Sequence, residues 1–333
     1  MFDRLGILLL SGLLSLPLAD AASVDLVARK AARYFQPLPT EMPGADGDTP
    51  EQVALGRLLF FDPRLSINGA QSCTTCHLLG GTAAGMDGRP TSPGARGETG
   101  RRNAPTVLNA GWQLAQFWDG RAEDLVDQAG QPILDPIEMG MPSEQAVVEK
   151  LLDLGTYGPA FEAAFPGEDA PINYPNLRKA IAAFERTLRS ESRFDDFLRG
   201  DGVALSEQEV RGLDRFIRAN CVKCHDGPLL GGAIYEKVGI YADFPNQDDQ
   251  GRFEVTGNPA DRMRFKVPQL RNVTLTGPYF HDGSVASLAE AVRVMARIQL
   301  DMELTDPQTA DIVAFLGALS GKDLSSEAAS GVR

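Results

Sequence analysis

Two CxxCH motifs constrain this chain more than any other feature: Cys73-Thr74-Thr75-Cys76-His77 and Cys221-Val222-Lys223-Cys224-His225. Together they use all four cysteines and two of the three histidines. A CxxCH run attaches c-type haem: each cysteine forms a thioether to a vinyl group, and the histidine can bind the iron axially. Two disulfides, with three connectivities, are a weaker reading of four cysteines, because they would not require the histidines. A zinc site is weaker too, since zinc motifs usually keep histidine apart from the cysteine pair. Two CxxCH runs with no cysteine left over point to two covalently bound haems c.

The N-terminus agrees. Arg4 precedes an apolar run from Leu5 to Leu18, and Ala19-Asp20-Ala21 follows as an A-x-A cleavage site. This reads as a secretory signal peptide over residues 1–21. Asp3 offsets the charge of Arg4, so retention as a membrane anchor is the alternative, although the run is shorter than the ~20 apolar residues of a span. Haem is attached to CxxCH after export, so signal and motifs both point to the periplasm. A net charge of −13 argues against nucleic acid as a partner, because phosphates recruit Lys and Arg. It permits docking of a basic electron carrier, and it is equally explained by solubility.

At ~150 residues per domain the length allows about two. Each CxxCH motif follows a helical signal. Thr49-Pro50-Glu51-Gln52 places a cap, a proline and a glutamine at the start of one helix. Ser206-Glu207-Gln208-Glu209 is a capping box for another, carrying Val210, Leu213, Phe216 and Ile217 at helical spacing. Further helices are expected along Leu177, Ile181, Phe184 and Leu188, from Ser287 through Met295, and from Asp306-Pro307. Strand signals are sparse, and Phe253-Glu254-Val255 reads as a short strand. The chain is therefore expected to be mostly α, as two cytochrome c-like domains, each with one covalently bound haem. The expected boundaries are 22–190 and 191–323, with a frayed tail at 324–333. Residues 80–104, rich in glycine and carrying Arg89, Arg96, Arg101 and Arg102, form a long loop directly after the first motif. A loop of that length in a compact domain is usually functional or disordered, and its position favours function.

Several segments resemble the bacterial di-haem cytochrome c peroxidases, over roughly residues 50–322. They are Leu58 to Ser66, Arg102 to Asn109, Gln116 to Leu125, Leu270-Arg271-Asn272-Val273 and Gly277 to Gly283. The resemblance implies that Cys73, Cys76 and His77 hold a peroxidatic haem, where hydrogen peroxide is reduced to water. It implies that Cys221, Cys224 and His225 hold a second haem, which takes electrons from a small cytochrome c or copper protein. By the same resemblance Met295 is the second ligand of the latter, and a Met/His pair raises a haem's potential. Periodicity alone reads Met295 as a core residue. Trp118 matches a tryptophan between the two haems, where its bulk beside Phe117 would otherwise read as core. Glu138 matches a catalytic glutamate that carries a proton between the two peroxide oxygens; alone it reads as a solvated loop charge. Gln128 matches a glutamine that orients peroxide. Asn103, Thr276 and Pro278 match positions that hold calcium, a hard cation that takes oxygen ligands. His281 matches a family histidine near the domain junction, for which a structural role is expected. Family members often form a homodimer.

The chain departs from that pattern in the glycine-rich loop. The position of the family's second histidine ligand falls at Ala95, and a neighbouring family tryptophan falls at Gly97. Alanine cannot ligate iron, so the peroxidatic site is expected to be open without prior reduction. Met86 is the alternative ligand in that loop, though a packing role suits it better. An open site also fits the related enzymes that mature methylamine dehydrogenase by oxidising a partner protein. Those enzymes use a tyrosine where Met295 stands, and neither Tyr241 nor Tyr279 aligns there. A third reading, a di-haem electron carrier without turnover, is disfavoured by Glu138.

Overall fold

Two glycines set how the principal helices cross. The computed structural model describes residues 21–80 and 83–322; residues 1–20 of the expected signal peptide, and the expected tail, lie outside the described residues. After α1 (Ala21–Ala31) comes α2 (Pro50–Phe61), opened by the Thr49–Gln52 capping box. Next are the single turn α3 (Cys73–Cys76) and a small hairpin of β1 (Leu79–Gly80) and β2 (Ala83–Ala84). Four helices follow: α4 (Leu125–Leu134), α5 (Glu144–Leu154), α6 (Gly158–Ala164) and α7 (Tyr174–Glu185). Gly56 of α2 lies against Ala180 of α7, so close that a Cβ on it would sit 1.8 Å from the Ala180 carbonyl oxygen.

The rest of the chain repeats this device. It contains α8 (Arg193–Leu198), α9 (Glu207–Arg218), β3 (Tyr235–Lys237), α10 (Phe253–Thr256), β4 (Arg264–Lys266), α11 (Leu288–Leu300) and α12 (Asp306–Gly317). Gly212 of α9 meets α12 as Gly56 meets α7: a Cβ would stand 1.9 Å from the Asp311 carbonyl oxygen. In both crossings a phenylalanine one helical turn further on, Phe184 or Phe315, closes against the glycine. In both, the helix bearing the glycine leads into a CxxCH motif.

The packing resolves into two large hydrophobic cores. One gathers Leu55, Leu59, Phe60, Ile133, Leu151, Phe161, Leu177 and Ile181, with Cys73 against its edge and Leu188 its last contributor. The other gathers Phe194, Leu213, Phe216, Val222, Leu230, Ile312 and Phe315, with Cys221 against its edge. Val27, Ala31 and Phe35 also belong to the second core, so α1 packs far from its neighbours in sequence. Leu288 and Val292 of α11 pack on this core; Met295, one turn after Val292, continues the same helical face and is partly buried.

Two expectations fail locally. Phe253-Glu254-Val255 is not a strand: it forms the single turn α10, ended by Gly257 at φ +66°. Its β-branched and aromatic content is overridden by that left-handed cap. Leu188 lies beyond the end of α7, which stops at Glu185. Besides the β1–β2 hairpin, β3 and β4 pair antiparallel with Tyr235 opposite Lys266.

Candidate active site

The two CxxCH motifs form different turns, an α turn at Cys73–Cys76 and a 3-10 turn at Cys221–Lys223, but share their hydrogen bonds. The His77 N–H donates to the Cys73 carbonyl at 2.9 Å, and the His225 N–H donates to the Cys221 carbonyl at 3.0 Å. The ring Nδ1 of His77 lies 3.1 Å from the Gly85 carbonyl oxygen, and that of His225 lies 3.1 Å from the Leu230 carbonyl oxygen. A carbonyl can only accept, so Nδ1 carries the hydrogen in both and Nε2 keeps its lone pair for a metal. Burial lowers the pKa of His77 and brings that of His225 down to about 4, which keeps both rings neutral, the ligating form. None of the four cysteines is joined to another in a disulfide. Burial raises Cys73 and pushes Cys221 up to about 12. Among the described residues no three His, Cys, Asp or Glu side chains form a cluster suited to a metal ion, so the zinc reading has no site.

A cavity with about 1240 Å³ of empty space opens beside the first motif. Cys73, Cys76 and His77 line one part of it, and Phe60, Val107, Leu125, Ala129 and Ile181 supply apolar walls. Thiols at the edge, an imidazole with a free Nε2 and a large apolar hollow are what a covalently held haem requires, so the residues fit that group.

Glu138 and Gln128 line the same cavity. Burial pushes the Glu138 carboxyl up to about 7; Asp135 adds to the rise and Arg121 opposes it. Sequence alone reads this glutamate as a solvated charge, but the fold carries Asp135–Gly140 back onto α4. The Met139 N–H donates to the Pro132 carbonyl and the Met141 N–H to the Ile133 carbonyl. The glycine-rich loop closes over the same stretch. Ala95 donates its N–H to the Glu138 carbonyl at 2.7 Å, and its own carbonyl accepts from Asn68 Nδ2 at 2.6 Å. Ser92, Pro93 and Gly94 line the cavity. Met86 is buried next to Gly85, the acceptor of the His77 ring, and is not among the residues lining the cavity.

A second cavity of about 670 Å³ adjoins the first. Trp118 lines both, as do Phe117 and the segment Asn103–Thr106. The Trp118 indole N–H donates to the Asn103 carbonyl at 2.9 Å. Asn103, Thr276 and Pro278, far apart in sequence, meet in this second cavity. The Asn103 side chain donates from Nδ2 to the Arg89 carbonyl, which leaves its Oδ1 available. His281 is buried, stacks on Phe265 at 4.2 Å and accepts the Asn103 N–H on its carbonyl. On its loop Arg102 reaches both Asp119 and Asp249, at 2.5 and 2.6 Å, and ties the loop to the β3–β4 region.

Four residues were given no role from the sequence. Glu185 is buried on the wall of the first cavity. It follows Ile181 by four positions, and an acid on an apolar helical face is the signal that marks it. Lys266 is buried in the second cavity, hydrogen-bonded to Gln113, and burial lowers its pKa to about 7. Arg271 and Asp195 form a fully buried ion pair at 2.7 Å. Nothing local in the sequence signals the last two.

The family profile described as "Di-haem cytochrome c peroxidase" matches residues 50–203. The chain is 44% identical to "Cytochrome c551 peroxidase" of Nitrosomonas europaea over 93% of this chain and 90% of that protein. It is 38% identical to "Methylamine utilization protein MauG" of Methylorubrum extorquens, over 91% of this chain and 88% of that one. Among solved structures it resembles a "MauG-like protein associated with microbial copper homeostasis". The TM-score is 0.76 at 32% identity, covering 86% of this chain and 94% of that one.

Proposed function

Because the chain belongs to the di-haem cytochrome c peroxidase family, we propose that it is a periplasmic peroxidase that reduces hydrogen peroxide to water with electrons from a small cytochrome c or copper protein. One observation carries the reading. Glu138, with its pKa raised to about 7, faces the cavity that Cys73, Cys76 and His77 also line. Haem c, held by the two CxxCH motifs, supplies iron able to accept peroxide at one site and electrons at the other. One peroxide, two protons and two electrons give two waters. Glu138 as carboxylate takes the proton of the inner peroxide oxygen and returns it to the leaving oxygen, a role suited to a pKa near the working pH. Gln128 offers its amide to orient peroxide. Trp118, on the wall of the first cavity and matching the family's tryptophan between the two haems, would carry electrons from the second haem towards that cavity. Met295 would supply a second ligand to the haem iron held at Cys221, Cys224 and His225. Asn103 Oδ1 with the Thr276 and Pro278 carbonyls would hold a calcium ion, an all-oxygen donor set suited to it. Among the described residues no helix is long and apolar enough to cross a membrane.

Ala95 gives the proposal its particular form. With no histidine there, the peroxidatic site is open without prior reduction. The test is the EPR spectrum of the fully oxidised, haem-loaded protein. One high-spin and one low-spin ferric signal, followed by turnover on direct addition of peroxide and reduced cytochrome, is the expected result. Two low-spin signals would overturn constitutive access.

The open position at Ala95 also favours a second reading, a MauG-like oxidase acting on a partner protein. Met295, where those enzymes place tyrosine, weighs against it. Peroxide-driven oxidation of a partner without cytochrome-dependent turnover would select that reading.

A further inference from the structure

Glu185 closes α7 with its side chain in the wall of the first cavity, beside Ile181 and Ala129. It is 4% exposed, and its Oε2 has no hydrogen-bond partner among the described residues. It takes part in no ion pair among those residues. Its neighbour Arg186 is committed to Asp48, at 2.6 and 2.7 Å. About two turns earlier on α7, Arg178 binds the Val126 carbonyl and Asp127 of α4. From α2, Arg57 lies over the rings of Phe61 and Phe184, and from α5 Lys150 donates to the Ser66 carbonyl. From α3, Cys73 faces it: Glu185 is the charged group that most raises that thiol, after burial itself. Glu138, Arg121 and Arg102 are the other charged groups of the cavity.

An unpaired carboxylate in such surroundings is costly, so this side chain holds a proton more readily than a surface acid does, while its ionised form is still reached at mildly alkaline pH. The proposed reaction needs such a group. Glu138 only relocates a proton that peroxide already carries, so the first water draws none from outside. The second oxygen atom needs two protons from elsewhere.

We propose that Glu185 is a second proton-holding group of the Cys73 cavity, taking up a proton when the cavity gains an electron and releasing it when that electron leaves. In balance, one electron enters the haem from the redox donor and one proton passes from solvent to the Glu185 carboxylate; oxidation reverses both. Burial raises both carboxyls of the cavity, Glu185 to about 8 and Glu138 to about 7. The inference rests on the reading that haem c is held at Cys73.

The test is a redox titration of the N-terminal haem in the holoenzyme across a pH range bracketing 8, with infrared difference spectra recorded on reduction. The midpoint potential is expected to fall as pH rises through this range. A protonated-carboxyl band should appear on reduction, be absent in Glu185→Gln and remain in Glu138→Gln. A wild-type potential independent of pH would overturn the proposal whatever the variants do, and so would a band that persists in Glu185→Gln. The haem mass on the Cys73–His77 peptide and peroxide turnover are measured on the same sample. Haem present with no turnover counts against the peroxidase reading alone. Turnover with a flat potential counts against Glu185 alone, and no haem on that peptide overturns both.

Discussion

Ala95 and Glu138 are joined through their backbones: the Ala95 N–H donates to the Glu138 carbonyl at 2.7 Å. The loop that lacks a ligating histidine is thereby fastened to the segment presenting the acid. Next to it, a Cβ on Gly94 would lie 1.4 Å from the Ile137 carbonyl oxygen, so the two segments touch backbone to backbone. Gly94→Ala must push them apart and carry Glu138 with them. A displacement near 1 Å at reacting groups can cost about 10²-fold. Steady-state kcat with reduced cytochrome should fall by that order, while the haem content stays unchanged.

Ala95→His tests what the loop has lost. The imidazole is expected to convert the high-spin ferric signal of the N-terminal haem to low-spin. Activity of the oxidised enzyme should fall and return after one-electron reduction. An unchanged high-spin spectrum would show that this position cannot reach the iron.

Glu138→Gln keeps the shape and removes the base. Proton transfer by a positioned group contributes about 10²–10⁴-fold, so kcat/KM should drop within that range. Glu138 must be ionised to accept a proton, and its pKa lies at about 7. The wild-type rate should therefore rise with pH through about 7 and then level, and the variant should lack that limb.

The twin helix crossings predict matched losses of stability. Gly56→Ala and Gly212→Ala each drive a methyl into a carbonyl oxygen, 1.8 and 1.9 Å away. Overpacking costs about 1–3 kcal/mol where side chains can shift, and a backbone clash should reach at least the top of that range. Gly158→Ala meets nothing within 4 Å and should be neutral or slightly stabilising. Urea unfolding of the three holoproteins compares them.

The Asp195–Arg271 pair stabilises the second core region. Both side chains are fully buried, and Asp195 also accepts the N–H groups of Leu38 and Ser192. Burial alone would raise the Asp195 pKa, but the Arg271 guanidinium holds it down at about 2. Because the folded value lies below the usual 3.8, the unfolded chain binds more protons between the two. The contribution is complete above the unfolded value and is lost as pH falls through about 2. Asp195→Ala leaves a buried guanidinium unpaired and should cost about 3–5 kcal/mol at neutral pH.

The two CxxCH motifs, the family and most of the principal helices were legible in the sequence, because each is a local pattern. CxxCH puts both cysteines and a histidine on one turn, and a capping box announces its helix within four residues. Glu185 was half legible, as an acid on the apolar face of α7. The single turn at Phe253 was misread because Gly257, in a left-handed conformation, outweighs strand propensity over so short a run.

By itself, then, the sequence determined the family, that the chain is mostly helical, and that no histidine stands at position 95. Only the tertiary structure decided that Glu138 is a partly buried acid, that Glu185 shares its cavity, and that Trp118 borders two cavities at once. The physical reason is that a carboxyl's proton affinity depends on the solvent it loses and the charges it meets. Those come from residues tens to hundreds of positions away. Spacing along the chain records which groups are present, and packing decides what each one faces.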